Sequence, residues 1–390
     1  MSDWRLATSE DVAAVAEAAL RRGRFGIDTE FMSEGRYRAL LCLVQVIVDD
    51  RIILIDALTD IDPTPLAKVL ADPTIEVVLH AGRQDVAILR RSWSTELRNI
   101  FDTQIAAGFT GASAQSGYAN LLAQVLGLRL GKTASYTRWD ARPLSDEQLS
   151  YAAEDVAHLL ELADRLQSRL RDLGRLEWAR EECRRLESAT DERDPETAWE
   201  RLPRIGQLDP RTRAVARALA AWRERTAAAE DRPVGSVIAD QTLVELAKRQ
   251  PTTLDALGQI RGMHSSGIRR RGRAILEAIA EGRAAEPIPR EPGRDRFDSA
   301  DAPLISLAEA LLRARAGEAG LAYELIASRS ELELIVGAMR RRQPEPDVRT
   351  LDGWRAELVG GELRSLLAGQ SALGVGPNGR LVVTSAQPPA

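Results

Sequence analysis

The stretch Arg24–Phe31, RFGIDTEF, decides how the first half of the chain is read. Phe25, Ile27, Thr29 and Phe31 alternate with Gly26, Asp28 and Glu30, which is the period of a β-strand. Alternation puts Asp28 and Glu30 on one face, roughly 7 Å apart along the strand. Two like charges there are costly unless the face is solvated or a cation lies between them. A solvated edge is the ordinary explanation for an isolated D-x-E. A divalent metal site needs further carboxylates elsewhere in the chain.

Working outward, LLCLVQVIVDD (Leu40–Asp50) and RIILIDAL (Arg51–Leu58) are apolar, β-rich runs around the turn-like Asp49-Asp50. A short helix follows from Pro63 to Leu70, then a strand IEVVLHA, a helix RQDVAILRRSW, a short strand NIFDT and a helix-rich region to about Glu187. Strands interleaved with helices predict an α/β sheet with helices packed on it. Short turns between the three leading strands predict a partly antiparallel sheet. Ser145, with Glu147 and Gln148 close behind, opens one or two long helices as a cap candidate. The polar stretch TDERDPETAWERLPRIGQLDP ends the α/β region, and AAEPIPREPGRDRFDSADAP separates two helical blocks, about Leu208–Gly282 and Leu304–Gly369. SALGVGPNGRLVV predicts a terminal hairpin turning at Asn378-Gly379.

With 390 residues the chain exceeds one compact core. Hydrophobic residues make up 44% and charged residues 28%, ordinary for a globular protein. No segment has the apolar length of a membrane helix, and the N-terminus lacks a basic start before an apolar run, so a cytoplasmic location is expected. Cys42 and Cys183 show no C-x-x-C spacing and read as free thiols. The net charge of −5 hides a gradient: Arg201–Arg283 holds sixteen basic and nine acidic residues, a local +7, leaving −12 elsewhere. An acidic body joined to a basic module suits a metal-dependent enzyme acting on a polyanion.

The further carboxylates exist. Asp85 follows a strand end in HAGRQD, Asp102 closes the strand in FDTQIAA, and Tyr151 and Asp155 lie four residues apart, on one helix face, in YAAEDVAHL. DTEF, HAGRQD, FDTQIAA and YAAEDVAHL, in that order, resemble the three motifs of the DEDD superfamily of 3′→5′ exonucleases, in its tyrosine subclass. KTASYTRWDARPLSDEQLSYAAEDV is similar to the segment joining the second and third motifs in the ribonuclease D family. LAAWRERTAAAEDRPVGSVIADQTLVELAKRQP resembles an HRDC domain, and LAYELIASRSELELIV resembles the divergent second copy in that family.

The resemblance implies a ribonuclease H-like mixed-sheet α/β exonuclease domain at 1–190. Two all-α domains follow, HRDC at 205–285 and a divergent HRDC-like copy at 300–384. Carried over position by position, it implies that Asp28, Glu30, Asp85 and Asp155 bind metal, with Tyr151 as the subclass tyrosine and Asp102 in support. Two divalent ions, Mg²⁺ or Mn²⁺, suit hard oxygen donors, and the lack of a Cys/His cluster argues against zinc. Asp28 is expected to bridge both ions, Glu30 and Asp155 to complete the water-activating site, and Asp85 to hold the second ion. Tyr151, with Glu30, is expected to orient the attacking water, as a hydrogen-bond partner and not as a base. The implied activity is trimming of RNA 3′ ends, with release of nucleoside 5′-monophosphates from tRNA precursors and other small structured RNAs, by a monomer. Chemistry is expected to reside in the first domain alone.

Lys132, Arg138 and Arg142 precede the third motif and are candidate phosphate contacts. Arg269, Arg270, Arg271 and Arg273 form the clearest basic run outside the site. Trp139 reads as a packing anchor over a base-stacking residue, and His80 and His158 as structural residues. Two alternatives remain at this level. A DNA-directed exonuclease is disfavoured because no polymerase-sized region follows residue 190. A catalytically dead RNA-binding module is disfavoured because all five site residues are present.

Overall fold

The computed structural model describes residues 4–111, 116–130, 138–289 and 299–386. The chain packs into two compact units, one of residues 1–30, 41–190 and 297–390, the other of 31–40 and 191–296.

The first unit is built on a six-stranded sheet. Its order is β1 (Trp4–Leu6), β4 (Arg51–Asp56), β3 (Leu40–Val48), β2 (Arg24–Met32), β5 (Glu76–Leu79) and β6 (Ile100–Asp102). β3 and β4 are antiparallel, with Leu43 opposite Asp56 and Val48 opposite Arg51, whereas β2, β5 and β6 run parallel and β1 joins β4 in parallel. The sheet is therefore mixed, as expected, and β1 is an addition. Three residues are too few to show a period. From Leu41 to Val48 every residue of β3 is buried, the pattern of a strand covered on both faces.

Gly26 sets how closely the helical layer approaches β2. A Cβ there would lie 2.7 Å from Ile47 Cγ2 and 3.1 Å from Leu159 Cδ2. Only hydrogen fits, and the helix beginning at Leu159 closes directly over the strand. The region after Ser145 contains three helices, Asp146–Ala157, Leu159–Asp172 and Leu176–Arg184, with a break at His158 (φ −114°). Ser145 caps the first through a capping box with Gln148, an arrangement that stabilises a helix start by about 1 kcal/mol.

Residues 299–386 form helices Ala302–Ala319, Arg329–Arg340 and Gly361–Leu367 among shorter turns. They end in the hairpin β7 (Ser371–Val375) and β8 (Leu381–Ser385). Gly379 (φ 71°) takes the left-handed position of the turn at Asn378-Gly379. Residues 297–390, which include the divergent HRDC-like copy expected at 300–384, fall in the same compact unit as the sheet.

The second unit is helical. Its two long helices, Pro210–Ala229 and Ser265–Ala284, meet where Gly282 would place a Cβ 2.5 Å from Val215 Cα. The core includes Leu219, Leu246 and Ile279, and also Tyr37. That tyrosine comes from the β2–β3 connection. Its hydroxyl donates to Glu224 Oε2 at 2.8 Å, and its backbone N–H donates to Asp231 at 3.1 Å. Burial and the neighbouring Glu224 push the phenol up to about 12, so it stays a donor. Among the described residues no helix is long and apolar enough to cross a membrane.

Candidate active site

β2 carries Asp28 and Glu30 two residues apart on one face, and both are half-buried. Asp85 stands in the first turn of the helix Arg83–Trp93, which follows β5, and is 7% exposed. Thr29, between the two acids of β2, donates its hydroxyl to Asp85 Oδ1 and so ties the two motifs together. Tyr151 and Asp155 lie one turn apart on the helix Asp146–Ala157, with the phenol hydrogen-bonded to the carboxylate.

Electrostatics show that these groups share one patch. Burial raises Asp28 well above the ordinary aspartate range, and repulsion from Asp85, Asp155 and Glu30 adds to it. Glu30 is pushed up to about 8, first by burial and then by Asp155 and Asp85. Asp155 rises to about 7 and Asp85 to about 6, each mainly by burial, while the bonds from Tyr151 and Thr29 oppose the shift. Tyr151 is itself raised, by burial and then by Asp155 and Glu30. Among the described residues no arginine, lysine or histidine forms an ion pair with any of the four carboxylates.

Clustered, half-buried acids without a cation are an unstable arrangement by themselves. Their donors are all hard oxygens, the set that suits Mg²⁺ or Mn²⁺. Among the described residues no group of three or more Asp, Glu, His or Cys side chains stands close enough together to hold a metal ion as placed. The carboxylates share a field without forming a finished cage, and a divalent ion would supply the missing attraction.

Besides burial, the charge of Asp102 raises Asp85, but its own carboxylate is engaged by backbone N–H groups. Its carboxylate accepts from Gln104 N and Ile105 N at 2.8 and 3.1 Å, capping the helix Thr103–Gly108, and from Ala81 N and Gly82 N at 3.2 and 2.8 Å. Sequence reasoning missed Tyr118. Burial, with Asp155 and Asp28 nearby, raises its phenol, whose oxygen accepts from His158 N at 3.2 Å. SGYANLL carries no signal that could have pointed to the site.

Trp139 is 3% exposed, its ring 6.1 Å from that of Tyr151, so it is a wall behind the tyrosine. His80 bonds Thr103 Oγ1 through Nδ1 at 2.9 Å, and burial lowers its pKa. His158 caps the end of the Tyr151 helix. Phe31 is half-buried.

The candidate phosphate contacts separate. Lys132 lies outside the described residues. Arg138 is exposed and pairs with Asp140 at 2.9 Å. Arg142 is committed to the protein itself, binding the Asp56 carboxylate at 2.5 and 2.6 Å and donating to the carbonyls of Cys42, Trp139 and Ala141. Arg269, Arg270 and Arg273 are exposed on the helix Ser265–Ala284. Arg271 is not part of that surface: its side chain is 11% exposed, paired with Glu230 and donating to Val237 O at 3.4 Å. At about 100° per residue, positions 269, 270 and 273 share a helix face that 271 leaves.

Known proteins resemble this chain along nearly its whole length. Residues 5–171 match the 3′-5′ exonuclease family model, and residues 212–279 match the HRDC domain. Ribonuclease D of Gluconacetobacter diazotrophicus is 38% identical, over 95% of this chain and 94% of that protein. Ribonuclease D of Granulibacter bethesdensis is 36% identical, over 96% and 95%. The crystal structure of Escherichia coli RNase D, described as an exoribonuclease involved in structured RNA processing, superimposes with a TM-score of 0.84. It is 29% identical, over 94% of this chain and 99% of that one.

Proposed function

Because the chain belongs to the ribonuclease D family, we propose that this 3′→5′ exoribonuclease works through Asp28, Glu30, Asp85, Asp155 and Tyr151. We further propose that it trims the 3′ ends of tRNA precursors and other small structured RNAs, releasing nucleoside 5′-monophosphates. The observation that carries this reading is the convergence of four mutually repelling carboxylates from β2 and two helices into one partly buried patch.

In this reading Asp28, Glu30, Asp85 and Asp155 are the residues that would hold two divalent ions, Mg²⁺ or Mn²⁺. Divalent ions bound there would supply activation of a water and stabilisation of charge at the leaving oxygen. Tyr151 keeps its proton at neutral pH, since burial and Asp155 raise its pKa. It therefore acts as a hydrogen-bond donor that orients water beside Glu30, not as a base. Thr29 holds the Asp85 carboxylate toward the β2 acids, and Trp139 limits water behind the tyrosine.

The basic helical unit supplies RNA affinity, with Arg269, Arg270 and Arg273 as its exposed phosphate contacts. Arg138 is a candidate contact beside the site. The printed role of the Escherichia coli relative in structured RNA processing supports the substrate class. Both cysteines are buried and free, and action as a monomer in the reducing cytoplasm is part of the same reading. The test is hydrolysis of 5′-labelled RNA and DNA strands with Mg²⁺, Mn²⁺ or EDTA. The reading expects stepwise shortening of RNA from the 3′ end, lost in EDTA and in Asp28→Asn. Internal cleavage, or full activity in EDTA, would overturn it.

A further inference from the structure

Trp354 and Arg355 lie far beyond the last acidic motif, yet they are 1% and 0% exposed. Trp354 stacks on Trp178 with ring centroids 5.4 Å apart and meets Phe109 edge-on at 5.0 Å. The Arg355 guanidinium lies 4.4 Å from the Trp354 ring centroid, and its Nε donates to Leu325 O at 2.6 Å. Its Nη1 sits 2.8 Å from Glu182 Oε2 without hydrogen-bond alignment, so this contact is one of charge. A buried cation against a single carboxylate, lying over a tryptophan that two further rings hold, fixes one position. A purely apolar contact would tolerate sliding.

Glu182 lies on the helix Leu176–Arg184, and the next residue, Cys183, is fully buried. Its sulfur accepts the backbone N–H of Asp102 at 3.3 Å. Asp102 in turn holds the N–H groups of Ala81 and Gly82. Gly82 is the N-cap of the helix that carries Asp85 in its first turn. Ala81 has φ 55°, a conformation that a non-glycine residue adopts only when its surroundings hold it there. An unbroken path of packed and hydrogen-bonded groups therefore runs from Arg355 to the turn beneath Asp85.

We propose that residues 299–386 are a working part of the nuclease, setting the position of Asp85 through Arg355, Glu182, Cys183 and Asp102. Arg355 and Asp102 are positioning residues, and the proposal rests on the assignment of Asp85 to the active site. It also replaces the expectation that chemistry resides in the first 190 residues alone. Removing this block would bare Trp178 and Phe109 and leave Glu182 without its buried partner.

The test uses the full chain in three forms. Asp102→Asn keeps the size of the side chain but turns an acceptor toward N–H groups into a donor. Arg355→Met combined with Glu182→Gln removes both charges, so neither is stranded in the interior. Asp85→Asn is the control for the site itself. Amide hydrogen exchange at residues 79–86 is measured alongside kcat and KM on a short single-stranded RNA. Asp102→Asn is expected to lower kcat by about 10–100-fold with little change in KM, and to speed exchange at Ala81 and Gly82. The Arg355/Glu182 variant should speed exchange in the same segment and lower kcat in the same direction. If it fails to fold, Trp354→Phe carries the same two measurements. A folded Arg355/Glu182 or Trp354→Phe variant with wild-type exchange and wild-type kcat would overturn the proposal. An active Asp85→Asn would instead remove Asp85 from the site, whatever the exchange shows.

Discussion

Replacing Asp85 by asparagine is expected to stabilise the metal-free protein while abolishing hydrolysis. Burial lifts this carboxyl from an ordinary 3.8 to about 6, against the opposing bond from Thr29. Each pKa unit corresponds to about 1.4 kcal/mol, so keeping Asp85 ionised at pH 8 costs the fold about 3 kcal/mol. Asparagine fills the same space and still accepts from Thr29 through Oδ1, but it adds no charge beside Asp28 and Glu30. The sign follows from linkage: a folded pKa above the unfolded one favours the native state at low pH, and that advantage fades as pH rises through about 6. In EDTA the two proteins should therefore melt together near about pH 4 and separate above about pH 6, the variant melting a few degrees higher. Adding Mg²⁺ or Mn²⁺ at pH 8 should reverse the order, because only the wild type gains the full binding free energy. Thermal melts across pH, with EDTA or metal, supply every comparison. A variant less stable than wild type in EDTA at pH 8 would refute the claim that these acids form a strained, cation-seeking patch.

Asp28→Ala or Asp155→Ala should lower hydrolysis by at least about a thousandfold with the fold intact by circular dichroism; near-normal turnover at saturating metal would remove either residue from the site. Tyr151→Phe should reduce kcat by about a hundredfold and leave RNA affinity nearly unchanged, whereas weakened binding with normal kcat would make it a substrate-packing residue. Neutralising Arg269, Arg270 and Arg273 together should shallow the salt dependence of RNA binding by up to about 2 in log–log slope. Arg271→Gln, by contrast, should lower the melting temperature through loss of the Glu230 pair and leave that slope alone. Equal slopes for the triple variant and wild type would take this surface out of the RNA path.

Local pattern carried much of this protein on its own. The alternation of Phe25–Phe31 became β2, the apolar runs after it became the antiparallel β3 and β4, and Ser145 with Gln148 became a capping box. The order of the four acidic motifs is also a one-dimensional signal, and it carries the resemblance to the 3′→5′ exonucleases. The strands and the cap depend on neighbours within about a helical turn or a strand, where covalent connection already limits the conformations available.

What the sequence could not disclose lies in encounters between segments distant along the chain. Arg271 reads like Arg270, and only packing turned it onto Glu230. Arg142 reads like a phosphate contact until Asp56 is found against it. Tyr118, in a segment without acids, comes beside Asp28 and Asp155 only when the sheet and its helices close. Asp102 reads as one more acid, and only the folded chain brings Ala81 and Gly82 to the same carboxylate as its own helix start. Trp354 and Arg355 look like ordinary residues of a late helical block, yet they are buried against Trp178 and Glu182. A side chain's type states what bonds it can make. Which partner it meets is decided by tertiary packing, since closing a long loop adds little further entropy cost for each doubling of its length and so leaves many distant partners open.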